Sequence, residues 1–487
     1  MKKYNLTYFI IGFFSLLLIT SDNLIAQVIT EKRIEFEVTD DSKYLYSKIY
    51  PFGAAGLIIY KKENKNNIYK LEHYNTDFNP SFQKEFELPK GFALTKIFTN
   101  TEYLYQLYED LNENFVLYRF NASDLSFNKA IGSLPQKSTL VAMAASGDFA
   151  YITLNSKEGP LILKVNNESG NSEIIPISAP AFTTEDLSVS SIEVIESTGD
   201  LLIYYTAINK NENNFYVMHV GLNGKINSTI NLTAIVGFRI TGISANQLSE
   251  DKFIFTGTYM TNVATSDGIY ICKTNGYDID FIERYKLSEL ENFFSYLPTP
   301  EEQKVAKKNG VSGVNNAADW YFMADHSIIK VGDNYLKIAE AYYPTYSVDP
   351  TLSFSGFKYT HVLLSMFDNL GKKLWDRTFK METSYNPLEV IKFISVKIVN
   401  DEINLLFSGK DDIFSIAYNL EGDQLRTDKA PLKVDKENSY IEDPFNKITF
   451  WYDFNFIAYG YQTFRDDNQY PGSKKRTVFF INKITYD

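Results

Sequence analysis

Short runs in which apolar and polar positions alternate, each closed by a turn residue, recur along this chain from about residue 33 to its end. Aligned on their first apolar residue, eight segments start at Tyr69, Phe115, Leu161, Phe215, Ile269, Val362, Ile413 and Val478. Six positions later the first seven carry Asn75, Asn121, Asn167, Gly221, Asn275, Asp368 and Asn419. These residue types accept the positive φ and the local hydrogen bonding of a tight turn, so each segment predicts a strand that ends there. A further strand follows each turn and meets a breaker, as at 82–88 ahead of Pro89, 127–134 ahead of Pro135 and 226–232 ahead of Thr233. Two more precede each segment, for example 201–205 ahead of Phe215 and 403–407 ahead of Ile413.

Four strands per unit, at spacings of 46, 46, 54, 54, 93, 51 and 65 residues, fit repeats that stack face to face. Both faces of the strands are partly apolar, as in the run from Phe115 to Tyr118, whereas a two-layer sandwich needs cleaner alternation. The pattern therefore predicts an all-β chain forming a single β-propeller of eight four-stranded blades, with seven as the alternative. The last segment, 478–486, reaches the C-terminus with no strand after it, and the strand-like run from Arg33 to Val38 has no blade of its own. Pairing these two strands completes the last blade, closes the ring and removes an exposed edge. The 93-residue gap holds an insertion over about 290–319. There Thr299 as N-cap, Pro300 at the first position, Glu302, and an Asn309-Gly310 stop predict a short helix.

Composition agrees with a large core: 44% of residues are hydrophobic, with 37 Phe and 35 Tyr to supply strands, which excludes a disordered chain. At the N-terminus Lys2 and Lys3 precede an apolar run over 6–20 and then Ala26-Gln27, the pattern of a secretory signal spanning 1–26. The run is short of the roughly 20 residues that a membrane span needs, so no anchor is expected after its removal. Residues 27–487 then form the propeller domain, exported to the periplasm or secreted. Cys272, the only cysteine, lies in a predicted strand and reads as a small buried hydrophobe, so the fold uses no intramolecular disulfide. Net charge is −12, which repels phosphate backbones and excludes nucleic acid as the expected partner. The cluster Lys474-Lys475-Arg476 sits in a Pro-Gly-Ser loop and reads as a solvated turn.

No sequence motif assigns chemistry. The four histidines, His73, His219, His326 and His361, show no metal-ligand spacing, and no metal site or cofactor is expected. Asn75-x-Asp77-x-Asn79 imitates the start of a calcium loop, but Pro80 stands where that loop needs glycine, so a hairpin turn explains it better. The adjacent pairs Asp411-Asp412 and Asp466-Asp467 read as solvated turns, and no catalytic residue is assigned. The strongest binding candidate is the stretch 337–346, where Glu340 lies in an apolar strand and Tyr342, Tyr343 and Tyr346 cluster around Pro344. Tyrosines pair an apolar face with a hydroxyl and are enriched where proteins bind partners. The alternative for this stretch is a Glu340 salt bridge to a neighbouring blade, with the tyrosines packing locally.

The unit Asp368-Asn369-Leu370-Gly371 followed by Leu374-Trp375 resembles the blades of β-propellers, including those of quinoprotein type. Only this unit carries the Trp, so the quinone cofactor of that family is not carried over. As a whole the chain is similar to exported bacterial propeller-like proteins of unknown function. The resulting expectation is a monomeric, non-catalytic binder of a protein or glycan. The alternative is a carbohydrate-active hydrolase or lyase with acidic residues at the channel.

Overall fold

A computed structural model describes residues 28–38, 44–63, 67–209, 213–233, 238–261, 265–300, 321–347, 353–381, 383, 385–409, 412–432, 439–466 and 476–486. Among these residues the strands pair into eight antiparallel sheets. We number them as blades 1 to 8 in chain order and their strands a to d from the inside outward. Blade 1 is Tyr44–Pro51, Leu57–Glu63, Ile68–Tyr74 and Pro80–Glu87, paired in that order. All eight anchor residues fall in or at the start of strand c: Ile68–Tyr74, Asn114–Asn121, Gly159–Asn166, Asn213–Val220, Gly268–Asn275, Phe354–Phe367, Asp412–Asn419 and Arg476–Tyr486.

The turn chemistry follows the sequence. Asn75 Oδ1 accepts from the backbone N–H of Asp77 (3.0 Å) and Asn79 (2.9 Å), and Asp368 Oδ1 does the same for Leu370 and Lys372 (both 2.9 Å). In blade 3 the position shifts by one: Asn166 takes the bonds from Glu168 and Ser169, while Asn167 is buried at its side. The resulting c–d turns lean on the preceding blade. Gly422, at φ 85° in the blade 7 turn, lies against the Trp375 ring of blade 6, where an added Cβ would come within 2.6 Å of Cδ2. Trp375 Nε1 also donates to Leu420 O at 2.7 Å in that turn. The one tryptophan of a c–d unit is thus a clasp between blades.

Eight apolar clusters fill the spaces between successive blades, and the eighth joins blade 8 back to blade 1. It holds Ile49, Leu57, Ile59, Tyr74 and Phe78 against Trp451, Ile457, Phe479 and Ile481. The sheets therefore form a closed ring, a β-propeller. Closure comes from the N-terminal strand Val28–Val38, which pairs antiparallel with strand c of blade 8 from Val28 opposite Tyr486 to Val38 opposite Thr477. Arg33 on this strand has its guanidinium 4.5 Å over the Phe480 ring and donates to Gln462 Oε1 (2.7 Å) and Glu35 Oε1 (2.8 Å). Both partners of the predicted closure are thus in place.

Sequence reading anticipated the inner strands but not their irregularities. In blades 1 to 5 strand a carries a β-bulge near its start, at Leu45, Thr95, Val141, Ser190 and Thr241. A bulge bends the strand where the ring is tightest. In two of these the extra residue's own hydroxyl serves a carbonyl of strand b: Thr95 to Leu107 O (3.1 Å) and Ser190 to Tyr204 O (3.0 Å). In blade 6 the inner strand is interrupted between Phe322–Asp325 and Ile329–Val331, both of which pair with strand b, Asn334–Tyr346.

Most of the 290–319 insertion, with nearly all of its predicted helix, lies outside the described residues, as do the signal segment, Lys474 and Lys475. Its described start is a latch. Leu290, Phe293 and Phe294 are buried, and the carboxylate of Asp376 accepts from the backbone N–H of Glu291 (3.2 Å) and Asn292 (2.7 Å).

Candidate functional site

The four residues singled out from sequence all lie on strand b of blade 6. This strand and strand c, Phe354–Phe367, run longer than in most blades, so their hairpin projects past the ring. Tyr342 is partly buried between Phe322 (5.7 Å, stacked) and Phe357 (5.2 Å, edge-on), and its hydroxyl is pushed up by burial. Tyr343 is partly buried, whereas Tyr346 is 58% exposed and meets Phe354 edge-on at the hairpin end. A backbone bond from Phe357 N–H to Pro387 O (2.8 Å) ties the hairpin to the link between blades 6 and 7.

Glu340 does not share that surface; it is fully buried. One or both of its oxygens accept from the backbone N–H of Phe393 (3.0 Å) and Ile394 (2.9 Å), and Oε1 lies 2.7 Å from His326 Nε2. Tyr359 grips the same link two residues earlier, donating to Ile391 O (2.6 Å) and accepting from Ile391 N–H (3.0 Å). Residues 391, 393 and 394 are therefore pinned to blade 6, and the residue between them, Lys392, is left exposed toward the channel. Its charge acts on Glu193 of blade 4, Lys337 of blade 6 and Lys447 of blade 8, which places it near the ring axis.

Lys447 sits on the inner strand of blade 8, Ser439–Tyr452, opposite Tyr459. Burial lowers its pKa; Glu340 opposes that shift, and the charge on Lys392 adds to it. The neighbouring Lys337 is buried but neutralised by Asp325 at 2.6 Å. Asp325 also accepts from Thr258 of blade 5 (3.0 Å), and only glycine fits at 242 beside it, since a Cβ there would lie 1.7 Å from Asp325 Oδ2.

Across the channel, blades 4, 5 and 6 enclose a cavity of about 550 Å³ near the face that carries the a–b turns. Its polar lining comes from Glu193, Glu196, Ser197, Asn246 and Gln247, and its apolar lining includes Leu202, Phe253 and Ile328. Burial raises the Glu193 carboxyl above its usual range, although the Tyr204 hydroxyl donates to it at 2.6 Å. Ser197 Oγ donates to Gln247 Oε1 at 2.5 Å, while the buried Asn246 Oδ1 has no partner among the described residues. A buried amide oxygen without a donor costs free energy.

The histidines serve the framework. His73 and His219, equivalent in their repeats, each tie strand c to the a–b turn of the same blade, at Ala55 O (2.8 Å) and Asp200 Oδ2 (2.9 Å). His361 stacks 3.8 Å from Tyr296 of the latch, and burial lowers its pKa to about 3. Cys272 is buried, its thiol pushed up to about 12. Among the described residues no three of His, Cys, Asp or Glu converge as metal ligands, and no helix is long and apolar enough to cross a membrane. Asp412 pairs with Lys429 at 2.8 Å at the outer strands of blade 7, while Asp411 and Asp467 fall outside the described residues.

No family model and no curated protein matches the chain. Among solved structures it is similar to the polysaccharide lyase Uly1, with 10% identity, 94% of this chain and 100% of that one covered, and a TM-score of 0.38. The WD40 domain of SCAP from fission yeast gives 10% identity, 93% and 98% coverage, and 0.41. The Dos1 propeller gives 9%, 94% and 95%, and 0.42. At such scores no activity transfers from any of them, and the fold rests on the strand pairing described above.

Proposed function

We propose that this chain is an exported propeller, periplasmic or secreted, that binds a glycan in the central channel. The cavity between blades 4, 5 and 6 carries the reading: carboxylates, amides and a hydroxyl beside apolar walls suit a polyhydroxylated ligand. The blade 6 hairpin, with Tyr343 and Tyr346, adds an aromatic contact outside the channel. A glycan array probed with mature protein should give binding that Asn246→Leu weakens by about tenfold, the equivalent of one hydrogen bond in a buried site. Binding that is indifferent to Asn246→Leu would move the site elsewhere.

One observation favours a carbohydrate-active enzyme as a second reading. Glu193 and Glu196 line the same cavity, and a carboxyl whose pKa is raised is suited to general-acid work on a glycosidic bond. On this reading the protein releases new chain ends from a polysaccharide panel, and Glu193→Gln lowers that rate by at least about 100-fold. Binding without any release of chain ends rules the enzyme out.

A further inference from the structure

The ion pair inside blade 6 lacks the hydrogen bonds that a buried pair needs. Lys337 Nζ lies 2.6 Å from Asp325 Oδ1, with the two side chains 0% and 6% exposed. Yet neither atom makes a hydrogen bond among the described residues. An ammonium carries three N–H donors, and leaving them unused in a dry site is costly to the charged form. Burial accordingly lowers the pKa of this amine, although Asp325 opposes the shift. A third orphan adjoins them: Ser365, directly opposite Lys337 on strand c and thus on the same face, has a buried Oγ without a partner. The carboxyl itself is immobilised. Thr258 Oγ1 donates to its Oδ2 at 3.0 Å, and the backbone of Gly242 packs so close that an added Cβ would lie 2.7 Å from Asp325 Cγ. An amine this near a fixed carboxyl, and not hydrogen-bonded to it, stands where a nucleophile stands before attack on the carboxyl carbon.

We infer that Lys337 and Asp325 condense into an amide cross-link within the folded chain, which makes this pair a self-modification site. The step balances without a co-reactant. The ammonium passes a proton to the carboxylate, giving a neutral amine and a carboxylic acid. Nζ then bonds to Cγ, the Cγ–Oδ1 bond breaks, and Oδ1 leaves as water with the acid's proton and one proton from nitrogen. Thr258 stays hydrogen-bonded to Oδ2, where negative charge builds in the tetrahedral intermediate. In bulk water hydrolysis of such an amide wins. Here the fold holds the two groups together, and well-oriented pairs reach effective concentrations of about 10⁵–10⁸ M with water excluded. The product removes the orphans Nζ and Oδ1 and leaves an amide N–H on the face of Ser365. It also staples strand a to strand b at Asp325, the residue where the inner strand of blade 6 breaks off.

Mass spectrometry tests this on the unaltered chain. The folded protein should be lighter than its own sequence mass by one water, about 18 Da, and its digest should contain a branched peptide that joins Asp325 to Lys337. Lys337→Met and Asp325→Ala should each regain the full mass. Protein dissolved from inclusion bodies in urea should keep its full mass until refolding, because the two groups meet only in the fold. Thr258→Val removes the donor to Oδ2 and should slow the loss of water, timed from the start of refolding, by about 100-fold. Folded protein at its full mass, with Asp325 and Lys337 in separate linear peptides, overturns the cross-link. A lost water that fragment ions map to any other residue overturns it too.

Discussion

Deletion of residues 27–40 should leave a protein without a cooperative melting transition. Strand Val28–Val38 supplies the outer edge of blade 8, and its Ile34, Phe36 and Val38 pack against the cluster that joins blade 8 to blade 1. Three half-buried side chains at about 1 kcal/mol each, with the Arg33 bonds to Gln462 and Glu35 and the whole backbone ladder of the strand besides, are a large share of the stability of an ordinary domain. The cut also bares strand c of blade 8, a long unpaired edge that invites aggregation. Circular dichroism and light scattering on heating check the outcome. A synthetic 28–38 peptide added in trans should restore part of the transition, and a truncated protein that melts like the parent refutes the closure.

Glu340→Ala should cost about 3–5 kcal/mol, because it leaves the backbone N–H groups of Phe393 and Ile394 and the ring of His326 buried without their acceptor. Glu340→Gln keeps one acceptor oxygen and should lose less, although its amide N–H₂ then faces donors. Urea denaturation gives both values. If Glu340 only filled space, the isosteric Glu340→Gln would cost nothing, and a loss below about 1 kcal/mol for alanine would remove it from the mount of Lys392.

The ring was legible because its signals are local. Each anchor and the turn residue six positions on belong to one strand and its turn, so Tyr69 with Asn75 or Val362 with Asp368 state strand and turn together. Closure was legible from a deficit, a last unit short of one strand and a first strand without a unit. The inner bulges were not, because Leu45, Thr95, Val141, Ser190 and Thr241 share no residue type; the ring's curvature, not the side chain, selects the position. The channel was hidden for a different reason. Glu193, Lys392 and Lys447 come from three separate parts of the chain, and no spacing along it marks their approach. Glu340 stood out as a carboxylate in an apolar strand, which identified an unusual environment but left open which partners fill it. The answer lay in backbone N–H groups of the next blade, which carry no sequence signature.

Pairing of Val28 with Tyr486 has a consequence for how the molecule is presented. Strand c of blade 8 ends at the face of the a–b and c–d turns, so both ends of the ring emerge side by side on that face. The Tyr346 hairpin joins strands b and c and therefore points the opposite way. Whatever the protein is fastened to, through a bead, a sensor chip or a fused partner at either end, stands behind it, and the aromatic hairpin faces the solution.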